Sequence, residues 1–195
     1  MPPVAKPILL DFPDVIAETE RLIIRAPRPG FGAIVHEAIV ESFEQLNPWM
    51  HWAQTLQSVE DTERMCRLGA AQFTRREALR MHLFERESGR FIGSSSLNNI
   101  DWHVPTMEIG CWLRSSATGQ GYATEAINAI TDFAFATLGA ERIEARCDAM
   151  NVRSAAVTKR CGFIHEGTLR CEDRNPQGEL RDTLLFSKIR KEWRP

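Results

Sequence analysis

The chain has 195 residues, of which 43% are hydrophobic and 26% are charged, and its formal net charge at pH 7 is -2. This length suits one domain that buries a substantial core, and the composition is typical of a soluble globular protein. The near-neutral charge leaves no general basic surface for a polyanion, which argues against nucleic acid as a direct partner.

The N-terminal segment contains one short apolar run, at 8–10, among several prolines. Such a run is too short for a signal peptide or a membrane span. We therefore predict a loose N-terminal extension at 1–17, a single domain at 18–195, and no membrane partner.

Five cysteines form an odd, scattered set without a Cys-x-x-Cys pair, at 66, 111, 147, 161 and 171. This pattern indicates reduced thiols, and hence a cytoplasmic protein. Cys161, His165 and Cys171 match no common spacing of zinc ligands, so no metal is predicted.

The hydrophobic pattern predicts alternating strands and helices along the chain. The expected order is a strand at 21–26, helices at 31–46 and 59–79, three antiparallel strands at 81–85, 90–97 and 106–113, a helix from 121 to Gly139, a strand at 142–147, a helix at 154–160, and two strands that turn at 175–178. Ser58 followed by Asp61 resembles a capping box at the start of the second helix.

Two tryptophans, Trp49 and Trp52, lie in a Pro-containing loop between the first two helices. Aromatic side chains in such a loop either plug the core or form the wall of a binding cleft. We treat both residues as candidates for substrate binding.

The segment at 107–126 runs from a strand through a turn of small residues directly into a helix. Gly119 and Gly121 let the main chain approach a bulky anion. The free N–H groups of the first helical turn, together with the positive end of the helix dipole, are suited to bind pyrophosphate.

Four motifs resemble the RimJ/RimL group of the GNAT acetyltransferases: TERL at 19–22, EIGCWL at 108–113, GQGYATEA at 119–126, and Asn151-x-x-Ser154 followed by Gly162-Phe163. The resemblance covers nearly the whole chain. It implies an α+β GNAT fold with a twisted, mostly antiparallel sheet of six to seven strands and about four helices. One position departs from the family pattern, because Ser116 stands where the family cradle usually begins with Gln or Arg.

The resemblance also implies acetyl-CoA as the acyl donor. Its pyrophosphate is expected on main-chain N–H groups of the cradle, contributed by Ala117, Thr118, Gly119, Gln120, Gly121, Tyr122 and Ala123. Its pantetheine arm is expected beside Cys111, Trp112 and Leu113 as an added strand would lie, and in contact with Asn151. The N–H of Cys111 or of Trp112 is the candidate donor to the developing oxyanion.

Direct acetyl transfer requires a neutral amine and a proton for the departing thiolate. The base candidates are carboxylates, namely Glu108 and the pair Glu172 and Asp173. Ser154 lies where the family positions a hydroxyl group, so it is the candidate general acid. It also lies where a helix N-cap is expected, a role that Asn151 can equally fill.

Three readings of the function remain. An α-amino group has a pKa of about 7.7–8.0, against about 10.4 for lysine, so the N-terminus of a protein or peptide is the preferred acceptor. The alternatives are a small-molecule amine, such as an antibiotic, a polyamine or an amino-acid derivative, and a non-catalytic module that binds acyl-CoA. Relatives of this group occur as monomers and homodimers, and either is expected here.

Overall fold

The structure is a computed structural model that describes residues 13–175 and 177–194. Over these residues it contains four α helices, α1 (Gly32–Leu46), α2 (Val59–Arg75), α3 (Tyr122–Ala136) and α4 (Val152–Arg160). It contains eight strands, β1 (Val15–Glu18), β2 (Leu22–Arg25), β3 (Leu79–Glu85), β4 (Phe91–Asp101), β5 (Thr106–Leu113), β6 (Arg142–Asp148), β7 (Ile164–Arg174) and β8 (Leu180–Ile189). Short 3-10 helices cover His51–Ala53, Ser115–Ala117 and Arg190–Glu192.

The strands form one sheet in the order β1-β2-β3-β4-β5-β6-β8-β7. All neighbouring strands pair antiparallel except β5 and β6, which are parallel. The α+β class and the mostly antiparallel sheet are therefore confirmed.

The sheet has one strand more than the six to seven predicted. The additional strand is β1, which pairs with β2 and begins inside the segment predicted as a loose extension. Its four residues are too few for a periodic signal, and its pairing depends on β2 rather than on its own sequence. Residues 1–12 of the predicted extension lie outside the described part of the chain.

The helices begin close to the predicted positions, and their ends differ. α2 ends at Arg75 rather than 79, because Arg76 adopts a left-handed conformation with φ 58° and the chain then enters β3. α3 ends at Ala136, three residues before Gly139. At the start of α2 the Ser58 hydroxyl accepts a hydrogen bond from the Asp61 N–H at 3.0 Å, as the capping pattern predicted.

The sheet separates two apolar layers. Met81 and Leu83 of β3 point towards α3 and belong to the main core, whereas Phe84 packs with α1 in a smaller cluster. Because side chains alternate along a strand, Arg80 and His82 share the α1 side with Phe84. Helices α1 and α2 therefore cover a partly polar face.

The most consequential feature of the sheet is a gap between β5 and β6. These strands pair only from Thr106 to Glu108, opposite Arg142 to Glu144. Beyond this point β5 continues along β4 to Leu113, while β6 continues along β8 to Asp148. The two central strands thus diverge, and over the described residues one edge of each has no neighbouring strand.

Candidate active site

The gap exposes main-chain groups of β5 in a fixed alternation. The Arg114 N–H donates to the Ile92 carbonyl at 2.8 Å, and the register pairs Leu113 with Gly93 and Cys111 with Ser95. In an antiparallel ladder this pattern directs the N–H and C=O groups of Trp112 and Gly110 towards β4, and those of Cys111 and Leu113 away from it. Of the two oxyanion donors considered, the geometry therefore favours Cys111.

The turn after β5 has the conformation expected of an anion cradle. Gly119 and Gly121 adopt left-handed conformations with φ 75° and 87°. The N–H groups of Ala117 and Thr118 donate to the carbonyls of Arg114 and Ser115 at 2.9 and 3.1 Å. Within the described chain the N–H groups at 119–124 have no protein acceptor. The free donors thus begin two residues later than the sequence suggested, and they lie at the positive end of α3.

The TERL motif fastens the start of α3 to the sheet. The Glu125 carboxylate accepts from the Thr19 hydroxyl at 2.5 Å and from the Arg21 Nε at 2.7 Å. The Arg21 Nη1 donates to the Gln120 carbonyl at 2.9 Å, and the guanidinium lies 4.5 Å from the centre of the Tyr122 ring. One arginine therefore fixes both the loop and the first turn of the helix.

Ser116 is bound to α1 instead of extending a side chain into the cradle. Its N–H donates to Glu41 at 2.8 Å, and its hydroxyl accepts from Arg90 Nη2 at 2.8 Å. Arg114 is buried and binds Glu37 and Glu41, so it does not face the cradle. The Arg114 guanidinium lowers the pKa of Glu41 to about 2.

On the opposite side of the gap, α4 begins directly after β6. The Asn151 side chain accepts from the Ser154 N–H at 3.1 Å, so Asn151 is the N-cap of α4. The Ser154 hydroxyl does not serve as the helix cap. Burial raises the pKa of the Cys147 thiol, and a hydrogen bond with the Ser154 side chain opposes that rise. Ser154 thus lies beside the diverging end of β6.

Two of the predicted base candidates meet at one arginine. Arg146 of β6 lies 3.6 Å from Glu108 and 3.4 Å from Glu172, and it also pairs with Glu144 at 3.3 Å. The Glu108 carboxylate accepts from the Asn99 side chain at 3.0 Å. Glu108 occupies the last paired position of β5, where the gap begins.

Asp173 is held in a different environment. Its carboxylate accepts from Arg181 Nη2 at 2.8 Å and from the Arg174 N–H at 2.7 Å, and it lies 3.3 Å from His51. These hydrogen bonds, that of Arg181 above all, lower the Asp173 pKa to about 2. Such a carboxylate is a weak proton acceptor, which argues against Asp173 as the base.

A cavity of about 340 Å³ lies between helices α1 and α2 and the sheet. Trp52 and Trp112 line it, with their ring centres 5.7 Å apart, and Gly110 and Cys111 carry it to the exposed edge of β5. Trp49 is not among its lining residues. Trp52 therefore belongs to the wall of a cleft, as one of the two predictions for this loop proposed.

The polar wall of the cavity contains two residues that the sequence analysis did not select, Arg80 and His82. His82 is 6% exposed, and its Nδ1 has no hydrogen-bond partner among the residues that the structure describes. Burial, and secondarily the charge of Arg80, lower the His82 pKa to about 4. One sequence signal could have identified this pair: Arg80 and His82 alternate with apolar residues along β3, so their side chains share one face of the sheet.

Neither a metal site nor a membrane span is visible in the part of the chain that the structure describes. No three His, Cys, Asp or Glu side chains are grouped there so that they could hold a metal ion. No helix there combines the length and the apolar character needed to cross a bilayer.

The neutral state of His82 predicts a pH-dependent stability. In the native protein its pKa is about 4, whereas its ordinary value is 6.5. The unfolded chain therefore takes up a proton first, so stability is full above pH 6.5 and falls towards pH 4, by about 3 kcal/mol in total. His82→Phe, which keeps the ring contacts with Phe31 and Phe91, removes this contribution.

Urea unfolding between pH 4 and 7.5 measures the difference. The control is His103→Phe, because His103 is exposed. We expect this variant to keep the wild-type dependence of the unfolding free energy on pH. If the free energy of unfolding changed with pH by the same amount in His82→Phe and in the wild type, the result would contradict a buried neutral imidazole.

Sequence comparison places the chain among known proteins. Residues 21–164 match the family described as an acetyltransferase (GNAT) domain. The ribosomal-protein-serine acetyltransferase of Escherichia coli (strain K12) is 29% identical over 157 residues, which cover 80% of this chain and 87% of that protein. The uncharacterized N-acetyltransferase p20 of Bacillus licheniformis is 32% identical over 117 residues, 60% of this chain and 65% of p20.

Structure comparison gives the same fold. The ribosomal L7/L12 alpha-N-protein acetyltransferase RimL, in complex with coenzyme A, aligns with a TM-score of 0.85 and 22% identity over 92% of this chain and 99% of that chain. The microcin C7 self immunity acetyltransferase MccE, in complex with acetyl-CoA and AMP, aligns with a TM-score of 0.81 and 23% identity. The alignment covers 88% of this chain and 93% of that chain. Since the family match spans most of the chain and the fold agrees, the protein belongs to the GNAT acetyltransferases.

Proposed function

We propose that the protein transfers the acetyl group of acetyl-CoA directly to a primary amine in the gap between β5 and β6, and that the amine is the N-terminal α-amino group of a protein or peptide. The observation that carries this proposal is the adjacency of two sets of free main-chain donors. One is the edge of β5 at Cys111 and Leu113, and the other is the run of N–H groups at 119–124.

The donor fits these groups by its chemistry. A pyrophosphate needs several N–H donors and a positive field, both of which the first turn of α3 supplies. An extended pantetheine arm needs main-chain partners, which the edge of β5 offers. Ser116 contributes no cationic side chain, so binding of the phosphates depends on the main chain between Gly119 and Thr124.

The residues around the gap supply the remaining requirements of the reaction. The Cys111 N–H is directed to stabilise the developing oxyanion. Glu108 accepts the proton of the attacking amine, directly or through water, with Glu172 as the second carboxylate on the same arginine. The Ser154 hydroxyl lies at the start of α4 and donates a proton to the departing thiolate.

The acceptor assignment rests on two considerations. An α-amino group is about a tenth neutral at pH 7, so it requires less of the base than a lysine does. The matched protein of Escherichia coli is named for acetylation of a ribosomal protein. A small-molecule amine in the cytoplasm is the second candidate, because the cavity beneath Trp52 is lined by several buried side chains.

A thiol-release assay with acetyl-CoA tests the proposal. The acceptors are peptides with varied first residues, the same peptides with blocked N-termini, and small primary amines. We expect coenzyme A release with free peptide N-termini and none with blocked ones. Turnover with small amines alone favours the second candidate, and bound acetyl-CoA without turnover for any amine would contradict an enzyme.

The cradle provides a matched pair of glycine variants for the donor site. Gly119 and Gly139 have φ values of 75° and 72°, and an added Cβ at either position meets nothing within 4 Å. The two variants Gly119→Asp and Gly139→Asp therefore carry similar backbone strain. Only the first places a carboxylate beside the phosphates, and we expect it to weaken acetyl-CoA binding about 100-fold.

Isothermal titration calorimetry measures both variants. Gly139→Asp is expected to bind acetyl-CoA within about twofold of the wild type, which corresponds to well under 1 kcal/mol. Equal affinity in Gly119→Asp and Gly139→Asp would show that the phosphates bind elsewhere.

The base assignment predicts a pH-dependent defect in Glu108→Gln. Near pH 6.5 most of the amine is protonated, so loss of the base lowers kcat/KM about 100-fold. The difference narrows towards pH 9, because the α-amino group is then neutral without help. Profiles of Glu108→Gln and Glu172→Gln, recorded with one peptide, distinguish the two carboxylates. A uniform defect across this pH range would assign Glu108 to positioning, and a normal rate would transfer the role to Glu172.

A further inference from the structure

The cavity beside β5 carries a charge that the proposed reaction does not use. Arg80 lines this cavity and is half-buried. In the described part of the chain its guanidinium has neither an ion pair nor a hydrogen bond. Among the described residues that line the cavity, none is acidic. A half-buried guanidinium that no anion compensates is suited to bind an anionic ligand.

The position of Arg80 is set by the strand register. Arg80 lies opposite Ser96, which lies opposite Gly110 at the edge of the gap. These positions are separated by two strand spacings, about 10 Å in total. The stem of Arg80 packs near Gly69 of α2. Burial lowers the pKa of His82 and the charge of Arg80 adds to this, whereas burial raises the pKa of Cys66 and the charge of Arg80 opposes that rise. Both residues also line the cavity. The Arg80 side chain therefore lies at the end of the cavity near Cys66 and His82, two strands away from the open edge of β5.

His82 makes a second, independent contribution at this end. Its side chain is almost fully buried and lines the cavity, and its Nδ1 lacks a partner within residues 13–175 and 177–194. The hydroxyl groups of Ser94 and Ser96 and the amide of Asn98 line the same wall. This wall thus combines a cation, an unsatisfied ring nitrogen and neutral polar groups, whereas Trp52 and Trp112 form the apolar part.

We propose that the acceptor carries an anionic group a few bonds from its amine, and that Arg80 binds this group at the end of the cavity away from the open edge of β5. The inference rests on the proposed function, because it names the class of amine that the same site takes. A carboxylate matches the planar guanidinium fork with two parallel hydrogen bonds.

The anion also resolves an electrostatic difficulty of the reaction. An ammonium group that enters a cavity with Arg80 and no carboxylate is repelled by that charge. An acceptor that brings its own carboxylate neutralises Arg80, while its amine reaches towards Glu108, on the same sheet face as Gly110 and Trp112. The acceptor is then either a peptide that begins with Asp or Glu, or a small amino acid with separated amine and carboxylate.

Matched acceptors isolate the charge. The peptide arm compares first residues Glu with Gln and Asp with Asn, and the small-molecule arm compares ω-amino acids of three to six carbons with their carboxamides. For the wild type, in one of the two arms, we expect kcat/KM to be at least about 10-fold higher for the acceptor with the carboxylate than for its amide counterpart. The amide cannot form the charge-assisted hydrogen bond with Arg80. The arm that shows this preference identifies the source of the acceptor.

Variants of the arginine connect the preference to the cavity. Arg80→Gln is expected to bring the acid-to-amide ratio close to one through a higher KM for the acid, with unchanged KM for the amide and for acetyl-CoA. Arg80→Lys is expected to retain part of the acid-to-amide ratio, because lysine keeps the positive charge but cannot form the two parallel hydrogen bonds of a guanidinium. The matched control is Arg64→Gln, which removes a 75% exposed arginine of α2 and keeps the wild-type ratio.

A ratio near one in the wild type, or an equal loss for acid and amide in Arg80→Gln, would overturn the inference. Calorimetric titration of the Glu and Gln peptides, and of an ω-amino acid with its carboxamide, into the coenzyme A complex tests it without turnover. Preferential binding of the acid in the wild type and not in Arg80→Gln supports the anion site even if no amine is acetylated. Turnover of amines without any charge preference would leave the proposed function intact and remove only this inference.

Discussion

The structure depends on one departure from regular sheet pairing, the separation of β5 from β6 after Glu108 and Glu144. A sheet that closed at this point would satisfy the Cys111 and Leu113 main-chain groups internally and would leave nothing for a ligand to pair with. Unpaired main-chain groups are costly unless water or a ligand satisfies them. The gap therefore leaves these groups open to water or a ligand, and the flanking pairs β4–β5 and β6–β8 hold it open from both sides.

The surrounding elements place different chemistry on each side of this gap. The start of α3 is fixed by Arg21 and Glu125, and it presents its free N–H groups at the end of β5. The start of α4 brings Ser154 to the end of β6. Helices α1 and α2 enclose the cavity with Trp52 and Arg80 on the remaining side. In the proposed reaction, the acyl donor, the proton-transfer groups and the acceptor thus occupy separate sides of the gap, which meet at the edge of β5.

Local features of the fold were predictable, because each leaves a periodic or turn-specific signal. The amphipathic pattern of α3 and the glycines before it predicted the helix and the turn that leads into it, and Ser58 predicted the start of α2. Non-local pairing was not predictable to the same degree. Strand β1 is defined only by its contact with β2, and the choice between Cys111 and Trp112 as donor depends on the register with β4.

The side-chain environments were harder still to predict. Nothing in the sequence distinguishes the neighbouring carboxylates of Glu172 and Asp173. In the structure Arg181 binds Asp173, whereas Arg146 contacts Glu172. Arg80 was overlooked because one charged residue in a strand is usually solvated, and only the packing of α2 against the sheet reveals that it is enclosed. The alternation along β3 signalled the face that Arg80 and His82 share, but not what covers it.

The most direct test of the central claim is amide hydrogen exchange, measured residue by residue by NMR with and without acetyl-CoA. If acetyl-CoA pairs with the open edge of β5 and with the start of α3, exchange slows at Cys111 and at residues 119–124. It stays unchanged in the β7–β8 pair, which lies at the far end of the sheet. Saturating acetyl-CoA that leaves exchange at Cys111 and at 119–124 unaltered would contradict the account.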